Sequence, residues 1–375
     1  MNKKEVSEIK KNFKEDSGFF TLNKILLTMV NMDGEEIFTK NQNIFTISDR
    51  EQEMYYTILR NVLNTSVGKK LIQYDFDYNR GGEEAQHTLY NVVASKAQDA
   101  VSVETYVERI LGTTVYPGPY ALVTAHCTYT VRRKNKKDDI DEDNTEEYNF
   151  IVGAFCPAHT VDSGFSYNNQ TGDFSTESDS RLYISPKPTD GFIYPTFDNR
   201  SPNANSVMYY CKTPKNINTS IIEDALGCSF DMSPVLETQN FNYLIAQTFG
   251  ESTNYGLIYE LNDALINYYD DFRNETEPIK VGADDIADIM HDLGVSDDEL
   301  DKFKALYKGI CGDCKLNIVN IINSKIKLQT SEYTISFKSW DGNRVAATVV
   351  DGSRAIKLPT DDTMMVVNDI PTQIK

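Results

Sequence analysis

Apolar residues follow a helical spacing through much of the first third of the chain. They recur three and four residues apart over residues 48–63, and a second helical stretch covers residues 83–111 with a break near Ser102. Residues 19–30 have the composition of a single early strand. Residues 1–115 are therefore predicted to form a mainly helical region.

The pattern changes to strands in the middle of the chain. Residues 120–131 alternate apolar and polar side chains, and residues 148–156 form a second run rich in strand formers. The basic and acidic blocks between them, residues 132–147, are predicted to be a solvated loop that closes an antiparallel hairpin. Further short strand candidates separated by Gly, Pro and Asn make residues 116–215 a predicted β-rich module.

Helical spacing returns in residues 216–310, which include two short helices predicted near residues 284–293 and 297–307. Residues 311–375 are predicted to be a small β unit, because apolar runs there are separated by turn dipeptides such as Asp351-Gly352. The four segments together predict an α+β fold.

Two serines have the spacing of a capping box, in which a serine and a glutamate three residues later bond to each other's backbone at the start of a helix. Ser48 is followed by Glu51, and Ser296 is followed by Glu299. We therefore expect both serines to begin helices in the same way.

Charge narrows the range of partners. The 375 residues carry 37 Lys and Arg against 56 Asp and Glu, a net charge of −19, while 40% hydrophobic residues make the chain globular. Nucleic acids and anionic membranes are bound by surfaces rich in Lys and Arg, so neither is expected as a partner. Neither a membrane-spanning length of apolar residues nor an apolar signal segment is found, so a cytoplasmic location is predicted.

The two short helices near residues 284–301 have the arrangement of a helix-turn-helix, which would place one helix in a DNA groove. Their polar faces are rich in aspartate, and this charge repels phosphate. We therefore predict that the acidic pair of helices packs on the body of the protein or docks a protein partner.

Two cysteine-containing pairs have the spacing of metal ligands. Two residues separate Cys156 from His159, and two residues separate Cys311 from Cys314. Together the four side chains would make a Cys₃His zinc site. Zinc sites usually take their ligands from a short segment, whereas these pairs lie far apart, so structural thiols near turns are the favoured interpretation. The sequence assigns no cofactor.

A loop between aromatic strands is the best candidate for a ligand site. Asp198, Arg200 and Ser201 follow one aromatic strand candidate, Tyr209 lies in the next, and Tyr167 precedes both. An arginine in such a loop can hold an anion. The alternative is structural, with Arg200 paired internally and Tyr209 covering the core.

Several short motifs carry a resemblance. They are Met1-Asn2-Lys3-Lys4-Glu5, Cys156-Pro157, Ser166-Tyr167-Asn168, Gly191-Phe192, Pro195-x-Phe197-x-x-Arg200-Ser201, Ser206-Val207-x-Tyr209-Tyr210 and Leu226-Gly227-Cys228. In this order they resemble the domain of unknown function 4317 family of Firmicutes-type bacteria. The resemblance implies a bacterial cytoplasmic protein and brings no activity, cofactor or catalytic residue with it.

Two functional hypotheses follow from the sequence. The first is a non-enzymatic protein-binding or assembly protein, because the charge is acidic and none of the catalytic motifs is complete. The alternative is a hydrolase or phosphate-handling enzyme, with Arg200 as an anion clamp, Ser201 and Tyr167 as polar contacts and Asp198 as a base. Substrate, partner and oligomeric state are left open.

Overall fold

The structure is a computed structural model of the chain, and it divides into two compact units. The first comprises Met1–Leu236 with Thr276–Pro278, and the second comprises Glu237–Glu275 with Ile279–Lys375. The described residues are 1–134, 140–161, 165–167, 172, 174–176, 181–230, 232–272, 275, 277–330, 333–339, 345–350, 353–357, 364–367 and 370–373.

Helices and strands are mixed along the chain, which confirms the predicted α+β class. The helices are α1 Lys3–Asn12, α2 Asp49–Leu63, α3 Gly82–Ala94, α4 Ala100–Thr113, α5 Pro234–Phe249, α6 Tyr255–Asp271, α7 Ala283–Asp292, α8 Asp297–Cys311 and α9 Ile318–Ile321. Shorter turns of helix are Ile44–Thr46, Pro214–Asn216, Ser220–Ala225 and Gly250–Ser252.

The strands of the first unit are β1 Phe20–Val30, β2 Glu36–Asn43, β3 Leu71–Asp75, β4 Tyr120–Lys134, β5 Ile140–Val161, β6 Phe165–Tyr167, β7 Phe174–Thr176, β8 Arg181–Ile184, β9 Asp190–Tyr194, β10 Thr196–Asp198, β11 Ser201–Asn203 and β12 Ser206–Cys211. Those of the second unit are β13 Lys280–Val281, β14 Leu316–Asn317, β15 Lys325–Gln329, β16 Thr334–Lys338, β17 Ala346–Val350, β18 Ser353–Lys357, β19 Met364–Val367 and β20 Ile370–Gln373.

One antiparallel sheet organises the first unit. Its strands lie in the order β2-β1-β4-β5-β9-β12-β3, and β8 extends the sheet by pairing with β5. The predicted hairpin is β4 with β5, and pairing continues past the predicted strand ends to Lys134 opposite Ile140. Residues 135–139 of the predicted loop lie outside the described residues. The first hundred residues also supply β2 and β3, which the helical prediction missed.

Both faces of this sheet are covered, so the first unit has three layers. Alternate strand residues such as Val123 and Val152 pack with α1 and α2 in one buried cluster. Their neighbours, such as Leu122 and Ile151, pack with α3 and α4 in a second cluster. Because side chains alternate along a strand, the apolar and threonine-rich faces of β4 are both buried, and the sheet is the centre of the unit.

The first turns of α2 and α8 differ, although both follow Ser-x-x-Glu. The Glu299 carboxylate accepts hydrogen bonds from the hydroxyl of Ser296 at 2.7 Å and from its backbone N–H at 3.4 Å. Ser48 begins α2 without a side-chain cap bond, and Glu51 accepts instead from Tyr55 and Gln42. The predicted box at Ser48 is therefore wrong, because the glutamate bonds instead to Tyr55, one turn later in α2, and to Gln42 on β2.

The second unit is built from helices and two-stranded hairpins. Apolar residues of α7 and α8, including Ile286, Met290 and Phe303, are buried, and the two helices pack against each other. Strand β15 pairs with β16, β17 with β18, and β19 with β20. Val350 is paired with Ser353 across the predicted Asp-Gly turn, whose two residues lie outside the described part of the chain.

Candidate functional site

The predicted ligand loop is the tip of a small hairpin formed by β10 and β11. Asp198 is paired with Ser201, and the two residues between them, Asn199 and Arg200, have φ angles of 50° and 60°. Two left-handed residues in a row match the twist of a tight hairpin, but the conformation is unfavourable for a side chain such as that of arginine. Contacts with α1 hold Arg200 in it.

Asp198 is surrounded by hydrogen-bond donors. Its carboxylate is paired with the amino group of Met1 and accepts from Asn203 at 2.7 Å, Thr196 at 3.0 Å and Gln73 at 3.2 Å. Burial alone would raise the pKa of Asp198, but the amino group and these hydrogen bonds hold it below its ordinary value. The carboxylate is therefore stabilised in its charged form, which makes it a weak base.

Arg200 is hydrogen-bonded to α1, which is distant from it in the sequence. Its guanidinium donates to Glu8 at 2.6 Å, and its backbone N–H donates to Glu5 at 3.4 Å. The other oxygen of Glu8 accepts a 2.6 Å hydrogen bond from the buried Tyr129 on β4. Glu8 thus joins α1, the hairpin tip and the sheet, and these contacts agree with the structural alternative for Arg200.

Of the other predicted ligand residues, Ser201 lies at the hairpin tip and Tyr209 does not. Ser201 is exposed at the start of β11. Tyr209 is fully buried on the opposite face of the sheet, where its hydroxyl donates to Asp190. Burial raises the pKa of both Tyr209 and Asp190. Tyr167 is the last residue of β6, and its side chain lies outside the described part of the chain.

Cys156 and His159 are three residues apart on β5, so their side chains extend from opposite faces of the strand. Cys156 is buried in the cluster beneath α1 and α2, and burial raises its thiol pKa to about 12. His159 is exposed, and its ring lies near that of Tyr183, with centres 5.2 Å apart and planes tilted by 51°. The two are not positioned to share a metal ion.

Cys311 and Cys314 lie at the end of α8 in the second unit. Cys311 is buried and Cys314 is exposed, and both are free thiols. The backbone N–H of Cys314 donates to the carbonyl of Cys311 at 3.1 Å, so the pair follows a helix and does not begin one. The described ranges contain no group of three or more His, Cys, Asp or Glu side chains that could hold a metal ion.

An acidic surface covers the outer side of α7 and α8. Its six exposed aspartates are Asp284, Asp288, Asp292, Asp297, Asp298 and Asp301. Lys304 donates to Asp284 at 2.7 Å, and this bond raises the pKa of the lysine. Asp288 and Asp301 raise it further by their charge. Lys304 thus lies in the field of several carboxylates.

A cavity of about 320 Å³ lies between the start of α2 and the sheet. Its walls are mostly aliphatic and come from three strands and the helix; they are Leu27, Met54, Ile58, Val123 and Ile184, with Tyr55 alongside. Ser48, Arg50 and Glu51 line its polar end. The volume falls in the usual range for small-molecule pockets, roughly 300–1,000 Å³.

The two charged residues at the polar end of the cavity differ in their hydrogen-bond partners. The Glu51 carboxylate accepts from Tyr55 and Gln42, each at 3.4 Å, and burial together with Glu51 raises the pKa of Tyr55 to about 12. Arg50, by contrast, has no hydrogen-bond or ion-pair partner among the residues that the structure describes. Its charge is therefore available at the rim.

The model of one protein family matches residues 1–369, almost the whole chain. The chain belongs to the DUF4317 family, described as a domain of unknown function. The resemblance drawn from the motifs is therefore confirmed. The chain has no match among curated proteins.

Within the described part of this family member, none of the helices combines the length and the apolar character that crossing a membrane requires.

The cavity is the feature that sequence reasoning missed. Its lining residues come from β1, α2, β4 and β8, which lie far apart in the chain. One signal was present: Ser48 and Glu51 have capping spacing, and Arg50 between them is a cation in the first turn of a helix, where acidic residues are favoured. The dipole of α2 therefore does not account for an arginine at this position.

Proposed function

We propose that the protein is a non-enzymatic binding protein whose acidic α7–α8 surface docks a protein partner rich in lysine and arginine. The exposed aspartates of both helices are the observation that carries the proposal. The apolar sides of the same helices are already used in the core of the second unit, so the charged side is the one left for a partner. Complementary charge then supplies specificity and a fast association rate.

The sign of this surface favours a basic protein over a nucleic acid. The phosphates of a nucleic acid would be repelled by the nearby carboxylates of Asp288, Asp292 and Asp301. Lys304 lies within this group, but its ammonium is already bound to Asp284. A partner's lysine and arginine side chains would instead be attracted over about one Debye length, roughly 8 Å in physiological salt.

The hydrolase alternative at Asp198–Ser201 has less support. Arg200 is paired with Glu8, and Asp198 is held in its charged form by donors from the chain itself. An anion clamp needs a guanidinium that faces a ligand, and a general base works best with a pKa near the working pH. The contacts of both residues favour a structural role.

The experiment is affinity capture from the native host, followed by measurement of the purified partner's dissociation constant. The test variant is Asp288→Asn/Asp301→Asn, which removes two exposed charges and leaves the buried sides of α7 and α8 intact. The matched control is Glu104→Gln/Glu108→Gln, which removes two exposed charges from α4 in the first unit. We expect about fivefold weaker binding for the first variant and less than about twofold for the second.

Raising the salt concentration should weaken the wild-type complex and should narrow the difference between the two variants. Equal affinities for both variants, or a partner whose binding does not depend on salt, would contradict the proposal. The proposal would also be contradicted if affinity capture yields no partner that, once purified, binds the protein again.

A further inference from the structure

We propose that the cavity at the start of α2 binds a small aliphatic monocarboxylic acid, with the carboxylate on Arg50 and the hydrocarbon chain against the sheet. The site lies in the first unit, and the proposal is independent of the acidic surface of the second. Its three supports are the volume and lining of the cavity, the unpaired cation at its rim, and the partners that Glu51 already has.

The walls select an aliphatic chain. Val123 and Ile58 are almost completely buried at the base, Leu27 is half-buried beside them, and Met54 is partly exposed at the mouth. Branched and flexible aliphatic side chains adapt to an alkyl chain, and each methylene removed from water contributes about 0.8 kcal/mol. A ligand without an apolar part would leave these walls facing water.

The rim selects a negative head group. Arg50 lacks a partner among the described residues, while one oxygen of the Glu51 carboxylate, Oε1, already accepts from Tyr55 and Gln42. The hydroxyl of Ser48 makes no cap bond to the first turn of α2, so it can donate to a ligand oxygen. The positive end of the α2 dipole adds a smaller contribution of the same sign.

A single negative charge suits this rim better than two. Arg50 is the one cation among the residues that line the cavity, and Glu51 lies beside it. A phosphate monoester or dicarboxylate would bring a second negative charge close to Glu51 without a second cation to balance it. A monocarboxylate is matched by the one guanidinium, which can bind both of its oxygens.

The test is isothermal titration calorimetry of the full chain with three probes of equal length: decanoate, decanol and decylamine. Decanoate should bind at least tenfold more tightly than the other two. Arg50→Ala should weaken decanoate binding about tenfold, as expected when a charge-assisted contact is removed, and should leave decanol unchanged. The matched control is Arg60→Ala, an exposed arginine on the same helix that does not line the cavity.

A second variant tests the cavity itself. Leu27→Phe enlarges a half-buried wall residue, so its ring should fill the cavity and abolish decanoate binding while the melting temperature stays the same or rises. If decanoate does not bind, binds as well after Arg50→Ala, or binds no better than decylamine, the proposal is wrong. Undiminished binding to a folded Leu27→Phe protein would also overturn it.

Discussion

Two arginines of the first unit illustrate opposite relations between sequence and structure. Arg200 lies in a loop whose composition predicts an anion site, yet its guanidinium is bound 2.6 Å from Glu8. Arg50 lies in a helix start for which the sequence predicts no ligand site, yet it remains without a partner among the described residues at the rim of a cavity. The difference arises because the availability of a charged side chain depends on what the fold places beside it.

The comparison also explains how the hairpin tip is held. Glu5 and Glu8 lie on one side of α1, three residues apart, and both face Arg200. The unfavourable left-handed backbone conformation of Arg200 is stabilised because these two carboxylates bind its backbone N–H and its guanidinium. The loop is therefore a structural junction in which Asp198 and Arg200, the two charged residues of the predicted site, have partners inside the protein.

The largest predicted effect comes from removing the shared acceptor. Glu8→Ala should lower the free energy of unfolding by about 2 kcal/mol, because Arg200 and the buried Tyr129 both lose a hydrogen bond to the carboxylate. Chemical denaturation measures the change. Glu15→Ala, an exposed glutamate just after α1, is the control and should change stability by less than about 0.5 kcal/mol.

A double-mutant cycle sharpens this result. Arg200→Ala alone should cost about 1 kcal/mol, since the guanidinium is 43% exposed and solvent screens the pair. In the Glu8→Ala background the same change should cost much less. Additive effects of the two substitutions would show that Glu8 and Arg200 do not stabilise each other.

A smaller effect separates the two Ser-x-x-Glu helix starts. Ser296→Ala should cost about 0.5–1 kcal/mol, because the hydroxyl is bonded to Glu299. Ser48→Ala should change stability by less than about 0.3 kcal/mol, because Ser48 makes no cap bond. Both are measured by chemical denaturation, and equal losses at the two sites would contradict the difference described between the helices.

The smallest effect is a dependence on pH. The pKa of Asp198 is lowered in the folded protein, so its contribution to stability is present above the ordinary pKa of about 4 and is lost as pH falls through the folded value. Asp198→Asn should therefore reduce stability at pH 7 and should approach the wild type at low pH. Denaturation curves between about pH 7 and pH 3 test this, and a constant difference would contradict it.

The sequence predicted the fold best where a repeating pattern governs the structure. The alternation of residues 120–131 and the later run of strand formers identified the β4–β5 hairpin, and the stripe after Ser48 identified α2. Strand β2 was missed because it is an edge strand with a mostly polar, exposed sequence. The break between α3 and α4 was expected near Ser102 but lies earlier, where Asp99 caps α4 by accepting from the N–H of Ser102 at 2.9 Å.

The candidate site was harder to predict, because its partners are distant in sequence. Glu8 and Arg200 are 192 residues apart, and no local pattern connects them. The cavity likewise brings together residues from four separate elements. A residue type indicates what a side chain can do, whereas the tertiary contacts decide whether it is free to do it.

Parallel measurement of stability and decanoate affinity for Arg50→Ala and Arg200→Ala tests this claim most directly. We predict that Arg50→Ala weakens decanoate binding about tenfold and leaves the melting temperature unchanged. Arg200→Ala should lower the melting temperature and leave the affinity within about twofold. The account would be contradicted by the opposite pattern, in which Arg200→Ala weakens binding without loss of stability and Arg50→Ala has no effect. That result would show that the ligand site is at the hairpin tip.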